Sequence, residues 1–216
     1  MYEKCILPIN TYYDLGGCSV IKNKRDLKEY LVCDKNALGY SMKRRPRIGR
    51  DEIWRFEILL RKYEYFSNLE KKNILQKVKY LFYKVRFHRL SVRLGFSIPI
   101  NVFGKGLSIA HYGSIVVNGN AKIGKNCRIQ ENTTIGSTGG SAKAPWIGDN
   151  VFIASGARII GDIYIGDNVA VGANAVVVKS CEKNGVTLAG IPAKIISNHD
   201  SSRFIKATAI KENIIR

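Results

Sequence analysis

Large aliphatic residues recur every six positions along the second half of the chain. A period of six matches neither the 3.6-residue repeat of an α-helix nor the two-residue alternation of a single strand. It predicts a solenoid in which each hexad forms a short strand and a turn, with the aliphatic side chain pointing inward. One run consists of Val117, Ile123, Ile129 and Ile135, and a second of Ile147, Ile153, Ile159, Ile165, Val171 and Val177.

Glycines and Asp-Asn steps lie between these positions, where turns with positive φ are tolerated. The repeat is interrupted once, by the segment GSTGGSAKAPW, in which Ser141 stands where the period requires an aliphatic residue. This interruption predicts a glycine-rich loop that leaves the solenoid. After Val177 the segment KSCEKNGVTLAGIPAKII departs from the period and is expected to cap the stack.

The first half of the chain has helical spacing instead of the hexad repeat. Three segments, 24–33, 50–66 and 70–94, carry apolar residues at helical intervals with charged faces between them. Asp51 is expected to cap the second helix, and Gly95 to end the third. The predicted fold is α+β, with a basic helical domain at 1–95, a β-helix at 96–196 and a C-terminal tail at 197–216.

The chain carries 35 Lys and Arg against 17 Asp and Glu. Of these, 22 basic and 10 acidic residues precede residue 96, so most of the surplus lies in the helical half. Such a surface attracts phosphate or anionic lipid, whereas the absence of any nucleic-acid motif argues against nucleic acid as a partner. The chain also lacks the Gly-x4-Gly-Lys-Ser/Thr pattern of an ATP-binding P-loop.

Features of targeting and redox state favour a cytoplasmic location. No apolar run reaches the length of a membrane span, and the N-terminus does not have the pattern of a signal peptide. The five cysteines are scattered and form no CxxC pair, which is typical of reduced thiols.

The hexads, together with AGIPAKII, resemble the hexapeptide-repeat acyltransferases. More narrowly, GKGLSIAHYGSIVVNGNAKIGKNCRIQENTTIGSTGG is similar to the corresponding part of bacterial serine acetyltransferases, and the likeness extends from about residue 98 to 196. In the helical half, ALGYSMKRRPR and DEIWRFEILLRKYEYF resemble proteins of capsule and surface-polysaccharide biosynthesis.

The resemblance implies a left-handed parallel β-helix, acetyl-CoA as co-substrate and no metal. It also implies a homotrimer with active sites between subunits, and the sequence leaves open whether trimers pair through the helical half. His111, in IAHYG, matches the segment that carries the catalytic histidine of serine acetyltransferases. Because imidazole titrates near neutrality, His111 suits the removal of a proton from an alcohol.

Binding of CoA follows from the same resemblance. Small residues let the pantetheine arm lie close to the backbone, and Lys194 or Arg158 is expected to meet the phosphates. The matching positions are Ser137, Thr138, Gly139, Gly140, Ala154, Ser155, Gly172, Ala173, Pro192 and Lys194.

The chain departs from the serine enzymes around the acceptor. Phe96 and Ala110 stand where that family has acidic residues near its histidine, and Ala144 stands where it has a loop histidine. The loop is also two residues shorter and lacks the arginine that binds the substrate carboxylate. Glu131 or Asn132 is therefore the candidate to orient His111. Tyr112 and Trp146 are candidates to stack on a sugar ring.

These departures favour an O-acetyltransferase acting on a sugar hydroxyl of a nucleotide-linked or lipid-linked glycan intermediate. The basic half is then expected to contact the inner face of the membrane. The main alternative is an L-serine O-acetyltransferase of cysteine biosynthesis, and N-acetylation of an amino sugar needs the same base. A zinc-dependent hydratase would need three histidines, and the solenoid contains one. A non-catalytic binding module is the remaining alternative.

Overall fold

The computed structural model describes residues 20–43 and 45–205, and it contains three helices followed by short strands. The helices are α1 (Lys24–Ala37), α2 (Glu52–Asn68) and α3 (Ile74–Leu94). Each of them overlaps a helix predicted from the sequence, and α1 runs four residues further. The predicted α+β class is confirmed in the form of helices and parallel sheets.

The helices begin and end at residues suited to those positions. Asn23 and Asn73 cap α1 and α3, each within a reciprocal capping box. Gly95 ends α3 in the left-handed conformation with φ of 79°, as predicted. Asp51 holds the N-cap position of α2 but makes no capping hydrogen bond, so that part of the prediction is wrong. Its carboxylate instead accepts hydrogen bonds from the amide and guanidinium of Arg47.

Fourteen short strands follow the helices. They are β1 (Phe96–Ser97), β2 (Ser108–Ile109), β3 (Ile115–Val117), β4 (Lys122–Ile123), β5 (Arg128–Ile129), β6 (Thr133–Gly136), β7 (Trp146–Ile147), β8 (Phe152–Ile153), β9 (Arg158–Ile160), β10 (Tyr164–Ile165), β11 (Ala170–Val171), β12 (Val176–Val177), β13 (Thr187–Gly190) and β14 (Ala193–Ser197).

The strands form three sheets. From β2 to β12 successive strands belong to sheets C, A and B in turn, so that each sheet gains one strand per coil. Sheet A has the order β1-β3-β6-β9-β12, sheet B has β10-β7-β4, and sheet C has β14-β13-β11-β8-β5-β2. Pairing is parallel except between β13 and β14, which form an antiparallel hairpin at the predicted cap. Ile153 pairs with Val171, 18 residues on, and Ile129 pairs with Ile153, 24 residues on. The longer interval contains the predicted excursion loop, which connects β6 to β7.

The hexad side chains form the core of this stack. All ten aliphatic positions of the two runs are buried, and they belong to one cluster that also includes Phe56 and Leu60 of α2. Asparagines with positive φ supply the turns at Asn126, Asn150 and Asn168. The inward orientation predicted from the period of six is therefore confirmed.

Buried charges join the helices to the first coil. Arg61 of α2 is fully buried, and its guanidinium contacts Asp34 of α1 at 2.7 Å and Glu64 at 3.0 Å. The same guanidinium donates to the carbonyl oxygens of Phe103 and Gly104, at 2.9 and 2.7 Å. Burial opposes the charge on Arg61, but Asp34 and Glu64 outweigh it and raise the pKa of the guanidinium. Arg61 therefore stays charged inside the protein.

Carboxylates of α1 and α2 also bind backbone amides of the segment that leads to β2. Asp34 accepts from the amides of Gly106 and Leu107, at 2.8 and 3.0 Å. Glu57 accepts from the amide of Ile109 at 3.1 Å. Because Ile109 comes two residues before His111, these contacts fix the backbone on which His111 stands. We call Asp34, Glu57, Arg61 and Glu64 the helical clamp.

Helix α3 presents an apolar stripe to solvent. Phe87, Leu90 and Leu94 face the core, and the stripe runs along the other side of the helix. Six Lys and Arg residues and no Asp or Glu lie on this helix. The exposed members are Ile74, Leu75, Val78, Leu81, Phe82, Val85 and Val92.

The C-terminal tail packs back against the stack as far as the structure describes it. A 3-10 helix spans Ser202–Phe204, and the ring of Phe204 stacks on Phe152 with centroids 4.3 Å apart. Cys33, Cys127 and Cys181 are not in disulfide bonds, and Cys5 and Cys18 lie outside the described residues. No helix in the described ranges is long and apolar enough to cross a bilayer.

Candidate active site

His111 lies on an edge of the stack where the chain turns from sheet C into sheet A. It follows β2 and precedes β3, and its side chain is exposed. The equivalent turns of the next three coils carry Glu131, Ser155 and Ala173, because they join β5 to β6, β8 to β9 and β11 to β12. The parallel register stacks these turns directly. We call this row the sheet C–A edge.

Glu131 is the carboxylate next to His111. One of its oxygens, Oε1, accepts a hydrogen bond of 2.6 Å from the Ser155 hydroxyl. The other, Oε2, is buried and has no hydrogen-bond partner among the described residues. The hydrogen bond from Ser155 lowers the pKa of Glu131, and the positive charge of His111 lowers it further, so the group is an anion at neutral pH. The site thus places a negative charge beside the imidazole of His111.

The turn that carries His111 packs closely on Glu131. Gly113 has φ of 129°, and a Cβ added there would lie 3.2 Å from the Cβ of Glu131. A side chain at this position would therefore push the two coils apart. The hydroxyl of Tyr112 donates to the carbonyl oxygen of Arg50 at 3.3 Å, which ties the turn to the start of α2.

Asn132, the other candidate for orienting His111, is engaged elsewhere. It adopts the left-handed conformation with φ of 58°, as a turn residue does. Its side-chain oxygen accepts from the guanidinium of Arg158 at 3.2 Å, and its carbonyl accepts from the same group. Of the two candidates, Glu131 is the one whose charge interacts with His111. Arg158, expected near the CoA phosphates, is held by Asn132.

The residues expected to bind CoA fall into two groups in the single chain. Ala154, Ser155, Gly172 and Ala173 lie at or beside the sheet C–A edge. The loop 137–140 follows β6 and so lies where the chain leaves sheet A for sheet B.

The GIPAK turn lies at the end of sheet C. Pro192 is in the turn between β13 and β14, and Lys194 on β14 is exposed opposite Ala189. A Cβ on Gly172 would lie 3.2 Å from the Cβ of Ala189, so the hairpin stacks next to the last turn of the edge. Lys194 is therefore at the far end of the row that begins at His111.

Trp146 is not near His111 in this chain. It lies on β7 in sheet B, half-buried, with its ring edge-on to Tyr164 at a centroid distance of 5.9 Å. Tyr112 lies at the sheet C–A edge. The expectation that these two rings flank one sugar is therefore not met within one chain, because Tyr112 and Trp146 lie on different sides of the stack.

Sequence reasoning did not find the helical clamp or a group of arginines around Glu52. Both depend on contacts between residues far apart in the chain, and their charged residues looked like ordinary solvated helix faces. Among residues 20–43 and 45–205 no group of three His, Cys, Asp or Glu side chains could hold a metal ion.

Comparison with known proteins identifies the repeat. Residues 144–179 match the family described as bacterial transferase hexapeptide (six repeats). A serine acetyltransferase of Staphylococcus xylosus is 35% identical over 134 residues, which cover 61% of this chain and 62% of that enzyme. The chain thus spans less than two thirds of the length of this relative.

Solved structures give the same family. The serine acetyltransferase of Brucella abortus is 26% identical with a TM-score of 0.62, over 82% of this chain and 72% of that one. Its complex with coenzyme A matches at 25% identity and a TM-score of 0.58, over 81% and 68%. These neighbours and the repeat imply a helical domain followed by a parallel β-helix.

The prediction of a sugar hydroxyl in polysaccharide biosynthesis as the acceptor is wrong, because these relatives are serine acetyltransferases. That prediction was drawn from groups missing around the histidine, and the absence of a group does not specify a substrate. One conclusion accounts for the stacked coils, for the edge that carries His111 and for the matches in sequence and fold. The chain carries a bacterial transferase hexapeptide repeat and is serine acetyltransferase-like.

Proposed function

We propose that the chain transfers an acetyl group from acetyl-CoA to the hydroxyl of L-serine. The observation that carries this proposal is the row His111, Glu131 and Ser155 along one edge, in a chain similar to serine acetyltransferases. The acetyltransferase of Brucella abortus binds coenzyme A in its own structure, which supports CoA as the other product.

In the proposed reaction His111 accepts the proton of the serine hydroxyl as its oxygen attacks the thioester carbon. The C–S bond then breaks, the sulfur of CoA leaves with the electron pair, and the protonated imidazole returns the proton to it. Glu131 keeps its negative charge throughout, because the Ser155 hydroxyl holds it as an anion. That charge stabilises the imidazolium when the proton is on His111.

The proposal includes a left-handed sense for the β-helix and a homotrimer with its active sites between subunits. The loop 137–140 and Ser155 lie at different edges of the stack, and this supports a site that a neighbouring chain completes. We expect light scattering to give three times the mass of one chain, and a monomer that retains full activity would contradict this. Domain limits of 1–95, 96–196 and 197–216 stay predictions.

A cytoplasmic location is part of the same proposal, since acetyl-CoA is the donor. Contact with the membrane also stays a prediction. The apolar stripe of α3, with lysines and arginines beside it and no acidic residue, supports such contact. Co-sedimentation with anionic vesicles is the measurement that addresses it.

We expect the purified chain to release CoA from acetyl-CoA when L-serine is added, at a turnover of about 1 s⁻¹ or more. A thiol reagent measures the CoA, and mass spectrometry identifies O-acetylserine. L-Alanine, which lacks only the hydroxyl, is the matched control and should give no product. Release of CoA with hexose acceptors and none with serine would overturn the proposal.

A further inference from the structure

A cavity of about 310 Å³ opens between α2 and α3, and none of its lining residues belongs to the sheet C–A edge. Four arginines line it, Arg55 from α2 and three from α3, with Leu59 and Leu90 as apolar lining. Glu52 is its one carboxylate. The three arginines of α3 are Arg86, Arg89 and Arg93.

The charges in this cavity do not balance. Glu52 receives two guanidinium groups, Arg55 at 2.7 Å and Arg93 at 2.6 Å, and the Gly49 amide also donates to it at 3.0 Å. Partial burial raises the pKa of Glu52, but the Gly49 amide and Arg55 outweigh burial and lower it. Glu52 is therefore charged, and one anion faces four cations.

Arg86 and Arg89 make no ion pair within the described part of the chain. The guanidinium of Arg86 lies over the ring of Phe82 at 5.3 Å, which limits where its donors can point. Guanidinium groups present paired donors that match the oxygens of phosphate, and they remain charged at any physiological pH. A diphosphate would balance a surplus of three positive charges in one cavity.

We infer that the cavity lined by Arg55, Arg86, Arg89 and Arg93 binds a diphosphate-bearing small molecule. Its volume lies at the small end of ligand pockets, and it leaves room for a group attached to the diphosphate. The apolar side chains of Leu59 and Leu90 fit the body of such a group. The inference does not depend on which molecule accepts the acetyl group.

The position of the cavity also links it to the site of acetyl transfer. Arg93 is two residues before Gly95, which packs on the backbone of Gly113. Arg50, two residues before Glu52, accepts the hydrogen bond from Tyr112. The start of α2 and the end of α3, which line the cavity, thus both contact the turn that carries His111.

The test is calorimetric titration of the full chain with inorganic pyrophosphate, and with ADP as the form that carries an organic group. We expect saturable binding at one site per chain. The double variant Arg86→Gln/Arg89→Gln should weaken it on the order of 100-fold, because two charge-assisted hydrogen bonds are lost. Serine acetylation by this variant, measured without added anion, should stay within about threefold of the original.

The matched control is Lys77→Gln/Lys84→Gln, which removes two cations of the same helix that do not line the cavity. We expect it to weaken binding less than threefold. Equal weakening by the two double variants would mean general attraction to a basic protein, and would overturn the site. Absence of saturable binding would also overturn it.

Discussion

Replacing His111 with alanine is expected to lower kcat for acetyl transfer by about 10²–10⁴-fold, the range that a positioned general base contributes. The KM for acetyl-CoA should change little, because His111 acts on the acceptor hydroxyl. Its exposed imidazole makes no hydrogen bond with another described residue, so the folded protein should survive the change. Steady-state kinetics with serine and acetyl-CoA, with light scattering to confirm the assembly, is the measurement.

His88 and His199 are the matched controls, because they are exposed on α3 and in the tail, away from the sheet C–A edge. Alanine at either position should leave kcat within about twofold. Activity retained by the His111 variant would refute its role as base even if the chain proves to acetylate serine.

Glu131→Gln separates charge from shape in the same site. The amide oxygen can still accept from the Ser155 hydroxyl, while the negative charge beside His111 is removed. We expect a fall in kcat of about tenfold with little change in KM. An unchanged kcat would show that the charge of Glu131 does not assist His111.

The sequence predicted the stack of coils well, because its signal is local and repeated. Each coil buries its aliphatic residue against the next, so a period of six in the sequence becomes a row in the core. Ile129, Ile153 and Val171 illustrate this, since they pair across successive coils of sheet C. The end of α3 at Gly95 and the excursion loop could also be predicted, because each interrupts a regular spacing of apolar residues.

The positions of site residues could be predicted only where they follow from the six-residue repeat. Glu131 lies next to His111 because one full coil separates them, which the repeat makes visible. Trp146 was expected near His111, yet it begins β7 in sheet B, whereas His111 lies at the sheet C–A edge. Arg61 gave no signal, because its partners Asp34 and Gly104 lie 27 and 43 residues away in the chain.

The prediction with the largest effect on stability concerns the helical clamp. Replacing Arg61 with methionine, which keeps much of the length of the side chain, should lower the free energy of unfolding by about 3–5 kcal/mol. The reason is that Asp34 and Glu64 would stay buried without a counter-charge, and two backbone carbonyls would lose their donors. Urea unfolding of the variant and the original protein, followed by circular dichroism, measures the difference.

Glu57→Gln is the matched control in the same interface, because glutamine keeps an acceptor for the Ile109 amide. Burial, and then the nearby charge of Asp34, raise the pKa of Glu57 well above its usual value. A carboxyl whose pKa is raised on folding binds more protons in the folded state, so its contribution to stability falls as pH rises above the unfolded pKa. Above that pH the glutamine variant should therefore lose less stability than the original protein as pH increases.

The two variants together separate a clamp held by charge from one held by packing alone. If Arg61→Met costs less than about 1 kcal/mol, the buried ion pairs do not join the helices to the first coil. If the clamp acts as the contacts indicate, Arg61→Met should also lower kcat, because Arg61 holds Asp34, and Asp34 accepts from the Leu107 amide in the segment that leads to His111. Arg61 is thus a positioning residue, and Glu57→Gln, with the acceptor for Ile109 retained, should keep kcat close to that of the original protein.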